Sequence, residues 1–200
     1  MQNFKKSIFI AITLLAIGVS NTRAQVVWGG RVGFSYYTET AKVSGISLSG
    51  NATGIELGPV LFYSLSDNFY LNSGAMLGVM LSTQDEIRGK YQNYYIDIPL
   101  YLGLKVPLSN SNFSPYLQAG PYVGYWRSSD SATNKIINPL QAGLGIMAGI
   151  NIKRFKFDIG YKIGLTNLTS NKGGEYLGDY VLLESTSKLS SIFLGISYVF

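Results

Sequence analysis

The chain contains no cysteine and no histidine among its 200 residues. Without cysteine it forms no disulfide, so an exported chain of this size has to be held together by other interactions. Without histidine it lacks the commonest general base, the usual metal ligand and the partner of a catalytic serine. From these absences we predict a protein that is not an enzyme and that uses no cofactor and no catalytic metal.

Charged residues are also few, at 14% of the chain. Three of the basic residues, Lys5, Lys6 and Arg23, lie near the start. Without them the 16 basic residues fall to 13, against 11 acidic ones. This near balance removes the electrostatic support for binding to nucleic acid, and we expect no nucleic-acid partner.

The first 24 residues have the pattern of a signal peptide. Two lysines precede an apolar run over residues 8–19, and a segment of small residues ends at Ala24, where cleavage is expected. The apolar run is too short for a spanning helix, which needs roughly 20 residues. We therefore predict a signal peptide at residues 1–24 and one domain over residues 25–200.

After residue 24 no apolar run approaches the length of a transmembrane helix. The 23 glycines and 15 tyrosines, with only 6 prolines, favour strands and tight turns over helices. A chain that crosses a bilayer without helices has to satisfy its backbone hydrogen bonds between strands, which requires a closed barrel.

The last stretch, residues 189–200, alternates strictly between two kinds of side chain. Such alternation indicates a half-buried strand, because successive side chains leave a strand on opposite faces. A terminal strand that ends on an aromatic residue also resembles the signal read by the barrel-assembly machinery of the bacterial outer membrane. We predict an assembly signal at five residues of the apolar row: Ile192, Leu194, Ile196, Tyr198 and Phe200.

Seven earlier segments alternate in the same way. They cover residues 28–37, 55–63, 69–81, 94–106, 115–126, 140–152 and 157–165. These strands reach or exceed the roughly 9–11 residues that cross a bilayer, whereas strands of soluble proteins average about 5–6. The pattern predicts an all-β fold, an eight-stranded antiparallel up-and-down transmembrane β-barrel with its termini in the periplasm.

The connections between the predicted strands alternate between long and short. Short turns follow the second, fourth and sixth strands, and long loops are predicted at residues 38–53, 82–90, 127–138 and 167–188. Pro59, Pro99 and Pro121 fall inside strands that have no free edge. Because proline donates no ladder hydrogen bond, we expect bulges or local bends at these positions.

Charge decides which row of side chains meets lipid. If the apolar row faces outward, three basic and three acidic residues point into the lumen. The opposite orientation places the three basic residues in hydrocarbon, at roughly 2–4 kcal/mol each near the midplane. A barrel of about eight strands has an interior that side chains fill. We therefore predict a structural charge network in the lumen: Arg31, Glu56, Asp97, Lys105, Asp158 and Lys162.

No candidate active site or metal site outweighs a simpler interpretation. Asp85 and Glu86 form a carboxylate pair in a predicted loop, and residues 172–174 have the glycine content of a phosphate-binding loop without its strand-to-helix context. Three acidic residues of the last loop match no metal-binding spacing, namely Glu175, Asp179 and Glu184. We interpret all of these as solvated loop residues.

Three runs of residues carry a resemblance to a known family. They are Tyr95-Ile96-Asp97-Ile98-Pro99-Leu100 with Tyr101-Leu102, Ala119-Gly120-Pro121-Tyr122, and Asp158-Ile159-Gly160-Tyr161 with Gly164-Leu165-Thr166-Asn167. These resemble strands of the PorT-like outer-membrane β-barrel family, over nearly all of the chain after the leader. The resemblance implies a small eight-stranded barrel of the OmpA/OmpX type. The family's namesake is associated with a protein-secretion and gliding apparatus.

Three kinds of function remain open on the sequence. The first is a non-enzymatic outer-membrane barrel that acts in envelope structure, adhesion or attachment of a secretion partner through its external loops, with outer-membrane lipid and the assembly machinery as partners. The second is a small-solute channel, which needs an aqueous gap along the inner row. The third is a soluble secreted ligand-binding barrel, which has its apolar row inside.

Overall fold

The computed structural model describes residues 26–43, 46–84, 92–106, 108, 113–129, 137–171, 176–177, 180–181 and 185–200. The predicted signal peptide lies outside these ranges. The strands of the described residues are β1 (Val26–Val43), β2 (Ile46–Ser64), β3 (Phe69–Gly74), β4 (Met76–Gln84), β5 (Gln92–Lys105), β6 (Phe113–Ser128), β7 (Leu140–Ile152), β8 (Phe155–Gly164), β9 (Thr169–Asn171), β10 (Tyr176–Leu177), β11 (Tyr180–Val181) and β12 (Ser185–Val199).

The long strands close into a ring in which every neighbouring pair is antiparallel. Strand β1 pairs with β2 on one side and with β12 on the other. Strands β3 and β4 occupy one position in the ring, between β2 and β5, and are separated by Ala75. The ring then continues through β6, β7 and β8 back to β12. The predicted eight-stranded antiparallel barrel is confirmed. No helix in the described part of the chain is long and apolar enough to cross a membrane.

The two rows of each strand face opposite surroundings. Apolar side chains such as Val32, Leu57 and Leu194 stand more than half exposed on the outer wall, while Glu56, Asp97 and Gln118 are almost fully buried inside. This distribution is the reverse of that in a water-soluble protein, and it suits a wall that contacts lipid. The alternative with the apolar row inside is therefore wrong.

The inner row packs by placing aromatic rings over glycines of the neighbouring strand. A Cβ atom added to Gly78 would lie 2.0 Å from a ring atom of Tyr95, its direct ladder partner, and one added to Gly103 would lie 2.2 Å from its partner Tyr70. Ring and glycine are ladder partners in further pairs of the described residues: Tyr116 with Gly149, Tyr122 with Gly143, and Phe193 with Gly160. The glycines thus supply the space that the lumenal rings occupy.

The prediction of a long loop at residues 38–53 is wrong. Strand β1 continues to Val43 and β2 begins at Ile46, so the two form a long hairpin in register over its whole length. They span 18 and 19 residues, against the roughly 9–11 that cross a bilayer. The stretch is mostly polar, which is compatible with a solvated strand as well as with a loop, and composition alone does not separate the two.

This hairpin and the start of β12 form what we call the projecting sheet, residues 38–43, 46–53 and 185–190. Its outward-facing side chains are polar, whereas those just below it are apolar, such as Tyr36, Ile55 and Ile192. Thr38 pairs with Asn51 on one side and with Ser190 on the other. The change from apolar to polar at one level of three neighbouring strands marks the edge of the membrane.

The three strand prolines leave the register of their ladders unchanged. Ala75 lies opposite Pro59 and still donates its backbone N–H to the Pro59 carbonyl at 3.1 Å. The ladders on either side of Pro59, Pro99 and Pro121 keep one register, so the bulges expected there do not occur in the described ladders. A register shift occurs instead between Asn51 and Ala52, at the base of the projecting sheet.

Candidate functional site

The lumen is the place where polar and charged side chains converge. We call its two openings the turn end, with the short connections at residues 65–68 and 153–154, and the loop end, where β1 meets β2. Buried clusters fill the lumen from one end to the other, with a charge network between them. The function of the molecule depends on whether this filling leaves a path.

Five of the six residues predicted for the charge network are brought together in the middle of the lumen. Arg31 donates two hydrogen bonds to Asp158, of 2.7 and 2.6 Å, and its Nε lies 3.7 Å from Glu56. The Lys162 Nζ atom lies 3.2 Å from Glu56 and 3.3 Å from Asp97. The five side chains form one continuous alternation of opposite charges, as buried charges require.

Glycines on the neighbouring strands leave room for each charged side chain. Glu56 is flanked in the ladder by Gly33 and Gly78, and Asp158 by Gly149 and Gly195. A Cβ atom at Gly195 would lie 2.0 Å from a guanidinium nitrogen of Arg31. The other members also have a glycine as one ladder partner: Arg31 has Gly58, Asp97 has Gly124 and Lys162 has Gly145.

Lys105, the sixth predicted member, lies apart from the network. It is half-buried at the turn end, where it lines an open cavity of about 350 Å³. Lys156 is the inner-row cation that the sequence interpretation missed, and its Nζ lies over the rings of Phe62, Tyr70 and Tyr116 at 4.2, 4.7 and 4.5 Å. The predicted strand began at residue 157, although Lys156 shares its parity with Asp158. That shared parity is the signal that could have identified it.

Substitution of Lys156 by Met is expected to lower the free energy of unfolding by about 2 kcal/mol. Its positive charge interacts with the negative charge of Asp158 in the network, and its Nζ lies over three rings. The matched variant Lys105→Met should change the value by less than about 0.5 kcal/mol. Urea titration of the folded barrel in vesicles measures both. Equal losses would show that Lys156 has no special role.

An aromatic cluster closes the loop end of the lumen. The rings of Tyr95 and Trp126 stack at 4.5 Å, and the Tyr37 ring meets that of Trp126 edge-on at 6.0 Å. The Tyr37 hydroxyl donates to the Tyr95 hydroxyl at 2.7 Å, and Trp126 Nε1 donates to Asp97 at 3.1 Å. The cluster is thereby joined to the charge network. Its other buried members are Ala52, Met80, Ile137, Leu168 and Leu189.

The remaining length of the lumen is filled as well. Tyr101, Met147 and Phe193 pack together. The centroid of the Phe193 ring lies 5.7 Å from Arg31 Cζ and 5.4 Å from Lys162 Nζ, the two cations of the network. A third buried cluster packs next to the open cavity of the turn end: Val60, Phe62, Tyr70, Met76 and Tyr116. The cavity at the network measures about 20 Å³, room for roughly one water molecule.

The five residues of the predicted assembly signal lie on the outer wall. Ile192, Leu194 and Ile196 are about half exposed, and the Phe200 ring packs against that of Trp28 at 4.6 Å. Tyr198 contacts the rings of Phe155 and Phe200. Their place on the last strand is as predicted, and their role in assembly stays a prediction.

The loop residues that we interpreted as solvated lie outside the described residues. They are Asp85, Glu86, Lys172, Glu175, Asp179 and Glu184. In the described part of the chain, the five charged groups at the centre of the lumen are held in four pairs of opposite charge. Among those groups, we find no nucleophile paired with a base and open to a substrate.

Several solved structures are similar to this chain. The outer membrane protein OprG from Pseudomonas aeruginosa is similar with a TM-score of 0.54 and 15% identity, over 88% of this chain and 97% of that one. Neisserial surface protein A is similar with a TM-score of 0.47 and 15% identity, over 86% and 97%. Ail of Yersinia pestis has a TM-score of 0.39 and 15% identity, over 86% and 98%. No curated protein matches the chain.

A family model also matches the chain. The model of the outer membrane protein beta-barrel domain matches residues 19–170, which is more than half of the chain. The match agrees with the closed eight-stranded ring, the apolar outer wall and the polar interior, and it places the protein in the bacterial outer membrane. The chain belongs to the outer membrane protein beta-barrel domain family.

Proposed function

We propose that this protein is a non-enzymatic and non-conducting barrel that holds a binding surface at the outside of the cell. The surface is the projecting sheet, and its work is adhesion, envelope structure or attachment of a secretion partner. The resemblance to the PorT-like family favours the last of these. We further propose that the termini and the turn end face the periplasm.

The filled lumen is the observation that carries this proposal. Three buried clusters and a charge network occupy its length, and the cavity at the network accommodates roughly one water molecule. A solute path needs a continuous aqueous gap, and the packing of the described lumenal residues argues against one. The barrel is then a rigid support, and contacts with other molecules fall to its ends.

The two ends of the barrel differ in a way that supports the proposed orientation. The turn end has a two-residue connection at Lys153 and Arg154, and short turns are typical of the periplasmic side. The loop end carries the projecting sheet, with exposed Thr40, Lys42 and Ser49. Such a polar, hydrogen-bonded surface suits contact with a hydrated partner.

The test is conductance in a planar lipid bilayer. We expect insertion of the purified protein to produce no discrete current steps, because the aromatic cluster and the network block the lumen. The double variant Tyr95→Ala and Trp126→Ala, which removes the two stacked rings, serves as a positive comparison if it folds. Stable current steps from the wild-type protein, in preparations free of porins, would contradict the proposal and favour the channel.

A further inference from the structure

A groove of about 720 Å³ lies on the outer wall of the barrel near the loop end. It extends from β1 across β2, β4 and β5 to β6, and its sides are formed by apolar residues such as Leu57, Leu77 and Ile96. These side chains are about half exposed, as expected for a wall that contacts lipid. The groove is therefore a lipid-facing surface with a definite shape.

The groove is concave because small side chains stand among large ones. Thr53 and Val79 are half-buried, whereas Ile55 and Leu77 beside them are exposed. The ladder register places Ile55, Val79, Tyr94 and Arg127 directly opposite one another on four successive strands. A single row across the wall thus joins the apolar groove to a cation.

Arg127 is held at the end of this row by Tyr125, and in the described part of the chain this is the residue that its guanidinium contacts. Its Nε donates to the Tyr125 hydroxyl at 2.9 Å, and the guanidinium lies 5.7 Å from the Tyr125 ring centroid. Among the described residues no carboxylate pairs with it. Since arginine has five donors and the described residues engage the Nε donor, the two terminal nitrogens present to the described part of the wall the fork geometry that binds phosphate.

Polar groups beside Arg127 complete a headgroup-like rim. The Gln92 side chain donates to the Tyr94 hydroxyl at 2.9 Å, and Tyr94 itself lines the groove. Amphipathic tyrosines are typical of the level where acyl chains meet headgroups. The wall therefore presents a cation, then a polar rim, then an apolar groove. This is the order of the charged group, the headgroup and the acyl chains in an anionic lipid.

We propose that this groove binds the phosphorylated glycolipid of the outer leaflet, with a phosphate on Arg127 and an acyl chain along Val79. The choice of the outer leaflet rests on the orientation given under the proposed function. A sugar headgroup suits the amide and hydroxyl groups of the rim, and the phosphate suits the arginine fork.

A second groove on the outer wall provides an internal comparison. It measures about 360 Å³, is lined by residues that include Ala148, Ile150 and Leu194, and has no lysine or arginine in its lining. Both grooves are thus apolar and concave, and the first groove also has a cation in its lining, Arg127. The comparison separates lipid selection from the general contact of a barrel with lipid.

Native mass spectrometry of the folded barrel in detergent, with added diphosphoryl lipid A, tests the site. We expect one bound lipid, with affinity about tenfold lower in Arg127→Gln and unchanged in the matched variant Arg154→Gln. Arg154 also contacts a tyrosine, Tyr198, but lies at the turn end. Filling the groove with Val79→Trp should reduce binding, while Ala148→Trp in the second groove should not.

Two results would overturn the assignment. Equal weakening by Arg127→Gln and Arg154→Gln would show non-specific attraction to charge. Equally tight, Arg127-dependent binding of phosphatidylglycerol would show a site for anionic lipids in general and not for the glycolipid.

The orientation is tested separately from the lipid site. The chain has no cysteine, so Ser49→Cys provides a single site for a membrane-impermeant maleimide on intact cells. Labelling of intact cells supports the outer leaflet. Labelling only after lysis overturns the orientation in the proposed function and the choice of leaflet, while the binding measurement still decides whether Arg127 and the groove hold a phosphorylated lipid.

Discussion

Substitution of Arg31 by Met is expected to lower the free energy of unfolding by about 3–5 kcal/mol. Arg31 is 8% exposed and the side chain of its partner Asp158 is 1% exposed. Loss of the cation leaves a buried carboxylate whose remaining hydrogen bond among the described residues is that from the Tyr116 hydroxyl, at 2.9 Å. Glu56 loses its second cation as well. Urea titration in lipid vesicles, with the folded fraction measured from the heat-modifiable band on gels, gives the value.

The double variant Arg31→Met with Asp158→Asn shows whether the loss comes from the unpaired charge. Because it removes both charges, it should be destabilised by clearly less than the sum of the two single variants. Lys42→Met, at an exposed position of the projecting sheet, is the control and should stay within about 0.5 kcal/mol of the wild type. A loss below about 1 kcal/mol in Arg31→Met would mean that water reaches the network and screens it.

Substitution of Gly78 by Val is expected to cost about 3 kcal/mol or to prevent folding of the barrel. The added Cβ would lie 2.0 Å from the Tyr95 ring, and the ring has little freedom to move because it stacks on Trp126 and bonds to Tyr37. Gly30→Val is the matched control, since no heavy atom lies within 4 Å of a Cβ atom at Gly30. The same urea titration measures both variants.

A thermodynamic cycle with Tyr95→Ala identifies the cause of this effect. When the ring is absent, Gly78→Val should cost less than about 1 kcal/mol, because the side chain then fills the space that the ring had occupied. If Gly78→Val cost the same with and without the ring, backbone strain and not the packing of Tyr95 would explain the loss.

The fold was predictable from sequence because it depends on a repeated and local property. Alternation such as that from Ile96 to Leu104 fixes which side chains share a face, and charges such as Asp97 and Lys162 decide which face is inside. The closed ring and the five-membered core of the charge network follow from these two rules. Neither rule requires knowledge of which strand contacts which at a distance.

The parts that were missed depend on contacts that alternation does not encode. The projecting sheet is polar on its outer face and was predicted as a loop, because Thr40 and Ser49 have the composition of either. Lys105 and Lys156 are both inner-row lysines near the turn end. What distinguishes Lys156 is the three rings that surround its ammonium group. The groove beside Arg127 requires the register of four strands, which a single sequence does not contain.

The pairing of β1 with β12 has a consequence for how the molecule is made. Arg31 and Asp158 are 127 positions apart in the chain, and β1 finds its second neighbour only in the last strand. Contacts of such high sequence separation form slowly, because a large loop has to close before they contribute. Until then both sheet edges are open and prone to pairing with other chains. The newly exported chain therefore needs protection from aggregation until its last strand arrives.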